Sequence, residues 1–319
     1  MIRYRFAESE LHARIEESDR EQKRKEPWLE RAAKLTRQLR KNPKLAIASE
    51  WKAVKSVYVK LQHGKCAFCE QVLGASELTA RNIDVEHFRP KNAVKAWPTA
   101  KLRKELCLSD DLPVSSGSGS GYRFLAYHPL NYAASCRTCN QSLKRCFFPI
   151  ARKHSWKGTD PRALRKSEQP YLIYPLGDFD QDPEELIAFE GYMVVPALPP
   201  KSGHDHQRAR VTIEFFQLST REDELLLPRA KQLDDVFSKL DDYRAAKTKA
   251  KRTELWNDIL RMAGPANPHA GCVRSFLRLY GDPEAQPAPP TRARALENLE
   301  LARAYWRSKR PVWRAPNRA

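Results

Sequence analysis

Apolar residues recur at three- and four-residue steps through the opening segment of the chain. Trp28, Leu29, Ala32, Leu35 and Leu39 fall on one face of a helix. Trp51, Val54, Val57, Tyr58 and Leu61 fall on one face of a second. Gly64 stands just past that second run, where a helix end favours a residue free to take positive φ. The earlier stretch from Glu8 to Glu17 is richer in charge and reads as a solvated helix or arm. Residues 1–62 therefore predict a helical region.

The period then changes. Ile83-Asp84-Val85-Glu86-His87-Phe88-Arg89-Pro90-Lys91 alternates apolar and polar side chains and reads as a strand that Pro90 ends. Residues of about 92–122 are irregular and finish in Ser115-Ser116-Gly117-Ser118-Gly119-Ser120-Gly121, a flexible linker by composition. This segment reads as a surface excursion between two halves of one site, since a long insertion adds little closure entropy. Pro and Gly punctuate residues 151 to about 207. Within them Leu186–Phe189 and Tyr192–Val195 flank Glu190-Gly191 as a short hairpin. Helical periodicity returns at Arg208–Phe216, around Leu233, Val236, Phe237 and Leu240, and over about 291–308. A basic tail with Arg310, Arg314 and Arg318 follows. The chain divides into 1–62, 63–150 and a mostly helical 151–319, an α+β protein without internal repeats.

Charge adds a class of partner. The 319 residues carry 57 Lys and Arg against 39 Asp and Glu, a formal net charge of +18. That is the electrostatic footprint of a polyanion binder, although charge does not separate DNA from RNA. No apolar run reaches membrane-spanning length, and the N-terminus lacks a segment of signal-peptide type. A cytoplasmic protein with no membrane partner is expected.

The cysteines fit a reducing compartment and a metal. Cys66-Ala67-Phe68-Cys69 and Cys136-Arg137-Thr138-Cys139 are two Cys-x-x-Cys pairs, and four such thiolates close a structural zinc site. Cys107, Cys146 and Cys272 read as small packing residues. Between the pairs lies Glu86-His87, a carboxylate beside an imidazole at a strand end, which can set a metal ligand next to a general base. Asn131 precedes the second pair, and Asn140 follows it and opens a helix whose N-terminus would face phosphate. His204-Asp205-His206 is a weaker metal candidate. His63 reads either as a partner of the first knuckle or as a helix-end residue. Trp97, Trp156, Trp306 and Trp313 are either base-stacking or packing residues.

With these residues the chain resembles an HNH endonuclease of the ββα-metal type, in its four-cysteine, treble-clef-like, zinc-stabilised form. The resemblance covers residues 64–145 and extends more loosely to about 230, through Phe147-Phe148-Pro149, Asp182-Pro183-Glu184 and Arg208–Ile213. That wider pattern is similar to HNH proteins of bacterial anti-phage systems, such as those associated with retrons and with Septu-type ATPase partners. The resemblance implies that His87 is the general base, that Asn131 orients it, and that Asn140 and Glu86 bind a catalytic Mg²⁺ or Mn²⁺. Glu86 stands where the family usually has Asp, and Asp84, two residues back on the same strand face, is the alternative ligand. Arg89, Lys91 and Lys144 are the candidates for contacting nucleic acid. The implied activity is hydrolysis of DNA phosphodiester bonds, gated by a partner such as an ATPase. A zinc-stabilised nucleic-acid-binding or adaptor module without cleavage is the other reading open to the same cysteines and charge.

Overall fold

The computed structural model describes residues 1–74, 83–281 and 290–309. Its secondary structure is mixed: helices and two small antiparallel sheets, the first joining strands β1 (Ile83–His87) and β2 (Tyr132–Cys136). The described residues form two compact units.

The first unit spans Met1–Ala188, Val195–Leu218 and Pro265–Pro268. The predicted opening helices are present as α1 (Glu8–Glu21), α2 (Trp28–Lys41) and α3 (Lys55–Leu61). A short 3₁₀ turn, Glu50–Val54, leads into α3. Gly64 has a φ of +69° just beyond α3, as the sequence predicts. The helices serve the ribbon of β1 and β2. Trp28 and Tyr58 close on Tyr132 with ring centroids 6.1 and 5.7 Å away, in edge-on geometry. Gln62, fully buried behind α3, accepts from the Ala134 N–H and donates to the Ala134 carbonyl, both at 2.8 Å. A side-chain amide thus stands in for a neighbouring strand and leaves that edge of β2 satisfied.

Strand β2 has no counterpart in the sequence pattern. Tyr132, Ala133, Ala134 and Ser135 are all buried, so no apolar–polar alternation marks it. The Ser/Gly tract also differs from its compositional reading. Ser115 exchanges both backbone bonds with Trp97, and Ser118 donates to the Val94 carbonyl at 2.7 Å. A Cβ at Gly117 would lie 2.5 Å from the Ala96 nitrogen, and one at Gly121 would strike the backbone of Asn92. These glycines permit close backbone approach, with the tract laid along residues 92–97. Deeper in this unit Asp180 accepts from both Arg208 and Arg165 at 2.6–2.8 Å. Burial alone would raise its carboxyl, but the two guanidiniums hold it below the ordinary range.

The second unit comprises Phe189–Val194, Ser219–Gly264 and the described residues from His269 to Lys309. Helix Leu227–Ala245 packs along helix Pro290–Lys309. Leu233, Val236 and Leu240 are buried on the first, and Ala295, Leu299 and Ala302 on the second. The predicted hairpin is present, with Gly191 at φ +61° in its turn between Ile187–Glu190 and Met193–Pro196. No described helix is long and apolar enough to cross a membrane. The tail arginines Arg310, Arg314 and Arg318, with Trp313, lie outside the described residues.

Candidate active site

The antiparallel register of the ribbon decides what lies at each end. Ile83 pairs with Cys136 at one end, and His87 pairs with Tyr132 at the other. A cysteine cluster occupies the first end, and a polar cavity runs along β1 from Ile83 to His87.

At the cysteine end the first knuckle folds back on itself, with Cys66 N–H donating to Gln71 and Glu70 N–H donating to Cys66. Ala67 N–H reaches the Ala134 carbonyl of β2 at 3.0 Å, which fixes this knuckle to the ribbon. The second knuckle starts at the last residue of β2. The four sulphurs of Cys66, Cys69, Cys136 and Cys139 all lie within 4.8 Å of one another, and Cys69 and Cys136 are 3.8 Å apart. A tetrahedral zinc with Zn–S bonds of about 2.3 Å sets its sulphurs roughly 3.8 Å apart, so the donor set fits that ion. Burial pushes the Cys66 and Cys139 thiols up, while hydrogen bonds from its neighbours pull Cys136 down. A bound cation would resolve that conflict by favouring thiolate at all four positions.

Along the length of β1, a cavity of about 530 Å³ is lined by Asp84, Glu86, His87, Lys91 and Asn140, among others. Five of the residues singled out from the sequence therefore share one wall. His87 is only 5% exposed, with its Nε2 3.1 Å from the Ala126 carbonyl. A carbonyl can only accept, so Nε2 carries the proton and Nδ1 is the basic nitrogen. Trp51 and Tyr132 hold the ring from two sides, edge-on, at 4.6 and 5.0 Å. Burial, reinforced by the Lys91 charge, lowers the imidazole to about 3 against the pull of the Ala126 bond, so it is neutral near pH 7.

Asn131 spans the turn that follows His87. Its Oδ1 accepts from Arg89 N–H at 2.8 Å, and its Nδ2 donates to the Arg89 and Leu125 carbonyls at 3.0 and 3.1 Å. Its own carbonyl accepts from Phe88 N–H at 2.8 Å. The exit of β1 is thereby locked. Glu86 is buried with its Oε1 3.2 Å from the Lys144 ammonium, which is itself fully buried. Burial pushes the Glu86 carboxyl up to about 7 even with Lys144 opposing it. Asp84 is half-exposed, and its Oδ2 accepts from Gln141 at 2.7 Å.

Several placements differ from expectation. Arg89 turns away from the cavity: it is 1% exposed, bonded to Glu168 at 3.2 Å, and set over the Phe148 ring at 5.1 Å. Lys144 is also interior, matched to Glu86 rather than presented to a ligand. The helix after the second knuckle starts at Thr138 and spans seven residues, so Asn140 lies within its first turn. His206 bonds the Leu198 carbonyl within a helix, and among the described residues no metal-holding cluster forms around it. Cys107 is exposed at a left-handed helix end instead of packed. Trp97 is buried against Phe215.

Trp51 fits a packing face in the sequence, and Lys52, Lys55 and Arg145 belong to no motif there, yet all four line this cavity. The available signal was an aromatic residue interleaved with two lysines in Trp51-Lys52-Ala53-Val54-Lys55.

In sequence the chain is similar to Septu protein PtuB of Bacillus mycoides (strain KBAB4). The two are 28% identical over 184 residues, which is 58% of this chain and 52% of that protein. The chain thus spans about half the length of the curated relative it matches. No family model matches the chain, and no solved structure matches it.

Proposed function

We propose that the chain is a metal-dependent HNH endonuclease with a ββα-metal core, hydrolysing DNA phosphodiester bonds as an effector of anti-phage defence. The carrying observation is the meeting of Asp84, Glu86, His87, Lys91 and Asn140 on one cavity, which runs along β1 of a ribbon that holds the four cysteines at one end. The sequence likeness to Septu protein PtuB supports the defence role. A protein partner that gates cutting, such as an ATPase, belongs to the same reading.

The oxygen donors of Glu86, Asp84 and Asn140 suit a hard cation that keeps several waters, such as Mg²⁺ or Mn²⁺. When bound, such an ion supplies Lewis-acid neutralisation of charge on the phosphate and the leaving oxygen. The residues of the chain do the rest. His87 enters neutral, and its Nδ1 takes the proton from the attacking water while Ala126 keeps the opposite nitrogen occupied. Asn131 holds the backbone that carries the imidazole, and Trp51 and Tyr132 prevent the ring from rotating. Lys91, with its ammonium 4.3 Å from the Trp51 ring, offers charge to the phosphate.

A second reading, a zinc-stabilised binding module without cleavage, draws on the fact that Glu86 already has a cation beside it in Lys144. The two separate in a cleavage assay on plasmid, linear DNA and RNA with Mg²⁺ and Mn²⁺. His87→Ala is expected to lower the cutting rate roughly 10²–10⁴-fold, the share of a general base, while bound zinc per chain stays unchanged. Equal behaviour of wild type and variant under every metal would sink the nuclease reading.

A further inference from the structure

The cavity has a second wall, which comes from outside the ribbon. Trp51, Lys52 and Lys55 belong to the 3₁₀ turn and the start of α3, and they line the same space as His87 and Asp84. Lys91 and Arg145 join them, which brings four cationic side chains to one cavity. Basic residues nearby have acidic partners: Arg31 meets Glu50 at 2.8 Å, and Lys60 meets Glu21 at 3.7 Å. Among the described residues, Lys52, Lys55, Lys91 and Arg145 form no ion pair, in contrast to those neighbours. Two carboxylates, Asp84 and Glu86, line the same cavity and Glu86 is already paired with Lys144, so the four cations outnumber the acids. Such an excess in a concave site focuses an attractive potential on anions.

This wall is built to keep its place. Trp28 Nε1 donates to the Glu50 carbonyl at 3.0 Å, and Arg24 donates to the Ala53 carbonyl at 2.7 Å. Helix α2 and the loop that precedes it therefore anchor the turn that carries Trp51. The Trp51 ring in turn has two tasks: its edge-on contact with His87, and a face for the Lys91 ammonium.

We infer that Trp51, Lys52 and Lys55, with Lys91 and Arg145, form a wall that binds the sugar-phosphate backbone of a nucleic-acid strand and lays it against His87. The inference rests on the nuclease reading for what happens to that strand, but binding itself does not depend on it. On this account the N-terminal helices complete the substrate site, beyond any role in docking a partner. Each lysine contributes one phosphate contact, and Trp51 acts through Lys91 and His87 as a positioning residue.

The test is fluorescence anisotropy in a full-length His87→Ala background, so that binding is read without cutting. The probes are labelled single-stranded DNA, duplex DNA and RNA, titrated over a salt series. Lys52→Gln/Lys55→Gln should weaken binding and flatten the slope of log Kobs against log salt by about 1.4–1.8, from roughly 0.7–0.9 per phosphate contact. The matched control Lys247→Gln/Lys249→Gln alters two exposed lysines elsewhere and should leave the slope in place. Trp51→Leu should flatten the slope as Lys91→Gln does, and Trp51→Phe, which keeps an aromatic face, should restore it. The wall is overturned if the control pair matches the effect of Lys52→Gln/Lys55→Gln, or if that pair changes neither affinity nor slope. Retention of the full slope by Trp51→Leu overturns the platform role of Trp51. Comparison of the three probes decides which strand the wall accepts. A chain that binds through this wall yet cuts nothing in the wild-type assay refutes the nuclease reading and upholds the wall.

Discussion

One ribbon of two five-residue strands separates two kinds of donor set. Near Cys136, four sulphurs face one another within 4.8 Å, so each is a potential ligand to the same point. Near His87 the donors are mixed and face a cavity of about 530 Å³. A closed set of like donors is satisfied by one ion and then has nothing left to offer. An open set keeps unmatched capacity: a basic nitrogen on His87 and cations that form no ion pair among the described residues. On the proposed function, stability falls to the cysteine cluster and chemistry to the cavity, and each assignment can be broken separately.

The largest effect is expected from the closed end. Structural zinc sites of this type contribute on the order of 10 kcal/mol to folding. Cys66→Ala removes a fully buried ligand next to the anchor to β2. It is expected to release the metal and unfold the first unit, read as loss of bound zinc together with loss of the cooperative melt. If the variant melts like wild type with its zinc gone, the cluster is not what holds the ribbon.

The next effect sits at the border of the two ends. Lys144 and Glu86 are a buried pair at 3.2 Å, and Lys144→Met would leave a buried carboxylate without its countercharge. Breaking such a pair by removing one partner costs about 3–5 kcal/mol, whereas replacing both partners with neutral groups is often close to neutral. Lys144→Met should therefore destabilise strongly in urea, and Glu86→Gln/Lys144→Met should recover most of the loss. If the double variant is no more stable than the single one, Lys144 acts through its packing on Phe148, 5.6 Å from that ring, and not through charge.

How much of this contrast the sequence reveals depends on how local the chemistry is. The cysteine pairs are legible because a two-residue spacing already aims two thiolates at one point. Glu86-His87 stands out only through its place between the two cysteine pairs, since such a pair alone is commonly a surface feature. The helices within residues 28–61 and 290–309 are legible from their period, whereas the charged stretch that forms α1 reads equally as an arm. Strand β2 is not, because both of its faces are covered and alternation vanishes. The glycines of residues 117–121 are misleading because the same residue serves flexibility and close packing. Arg89 and Lys144 look alike as free basic residues until long-range partners at positions 168 and 86 claim them. Trp51 fits an apolar helical face, and only the fold shows that this face borders His87.

The smallest expected effect sharpens the open end, where two carboxylates compete for one role. Glu86 adjoins His87, as the resemblance requires of the ligand, but it is buried and already faces Lys144 at 3.2 Å. Asp84 is half-exposed, and its Oδ2 is engaged by a neutral amide at 2.7 Å. An incoming divalent ion must compete with an ammonium at Glu86, but only with an amide N–H at Asp84, a weaker rival by charge. Proximity to the base favours Glu86, and ease of access favours Asp84. Metal titrations of cleavage decide between them. Replacing the true ligand should raise the Mg²⁺ concentration for half-maximal cutting by about tenfold or more, as loss of a ligating or supporting carboxylate does elsewhere. Replacing the other should shift it by less than about threefold, since a charge removed roughly 8 Å from the ion in water is worth only about 0.5 kcal/mol. If Glu86→Gln has the large shift, Lys144 must give way when metal enters, and Lys144→Met paired with Glu86 intact should then tighten metal binding. If Asp84→Asn has it, the buried pair is structural and the metal sits at the solvent side of the ribbon, beside Gln141. Equal large shifts would mean both carboxylates bridge to the ion, and equal small ones would remove the metal from this wall altogether.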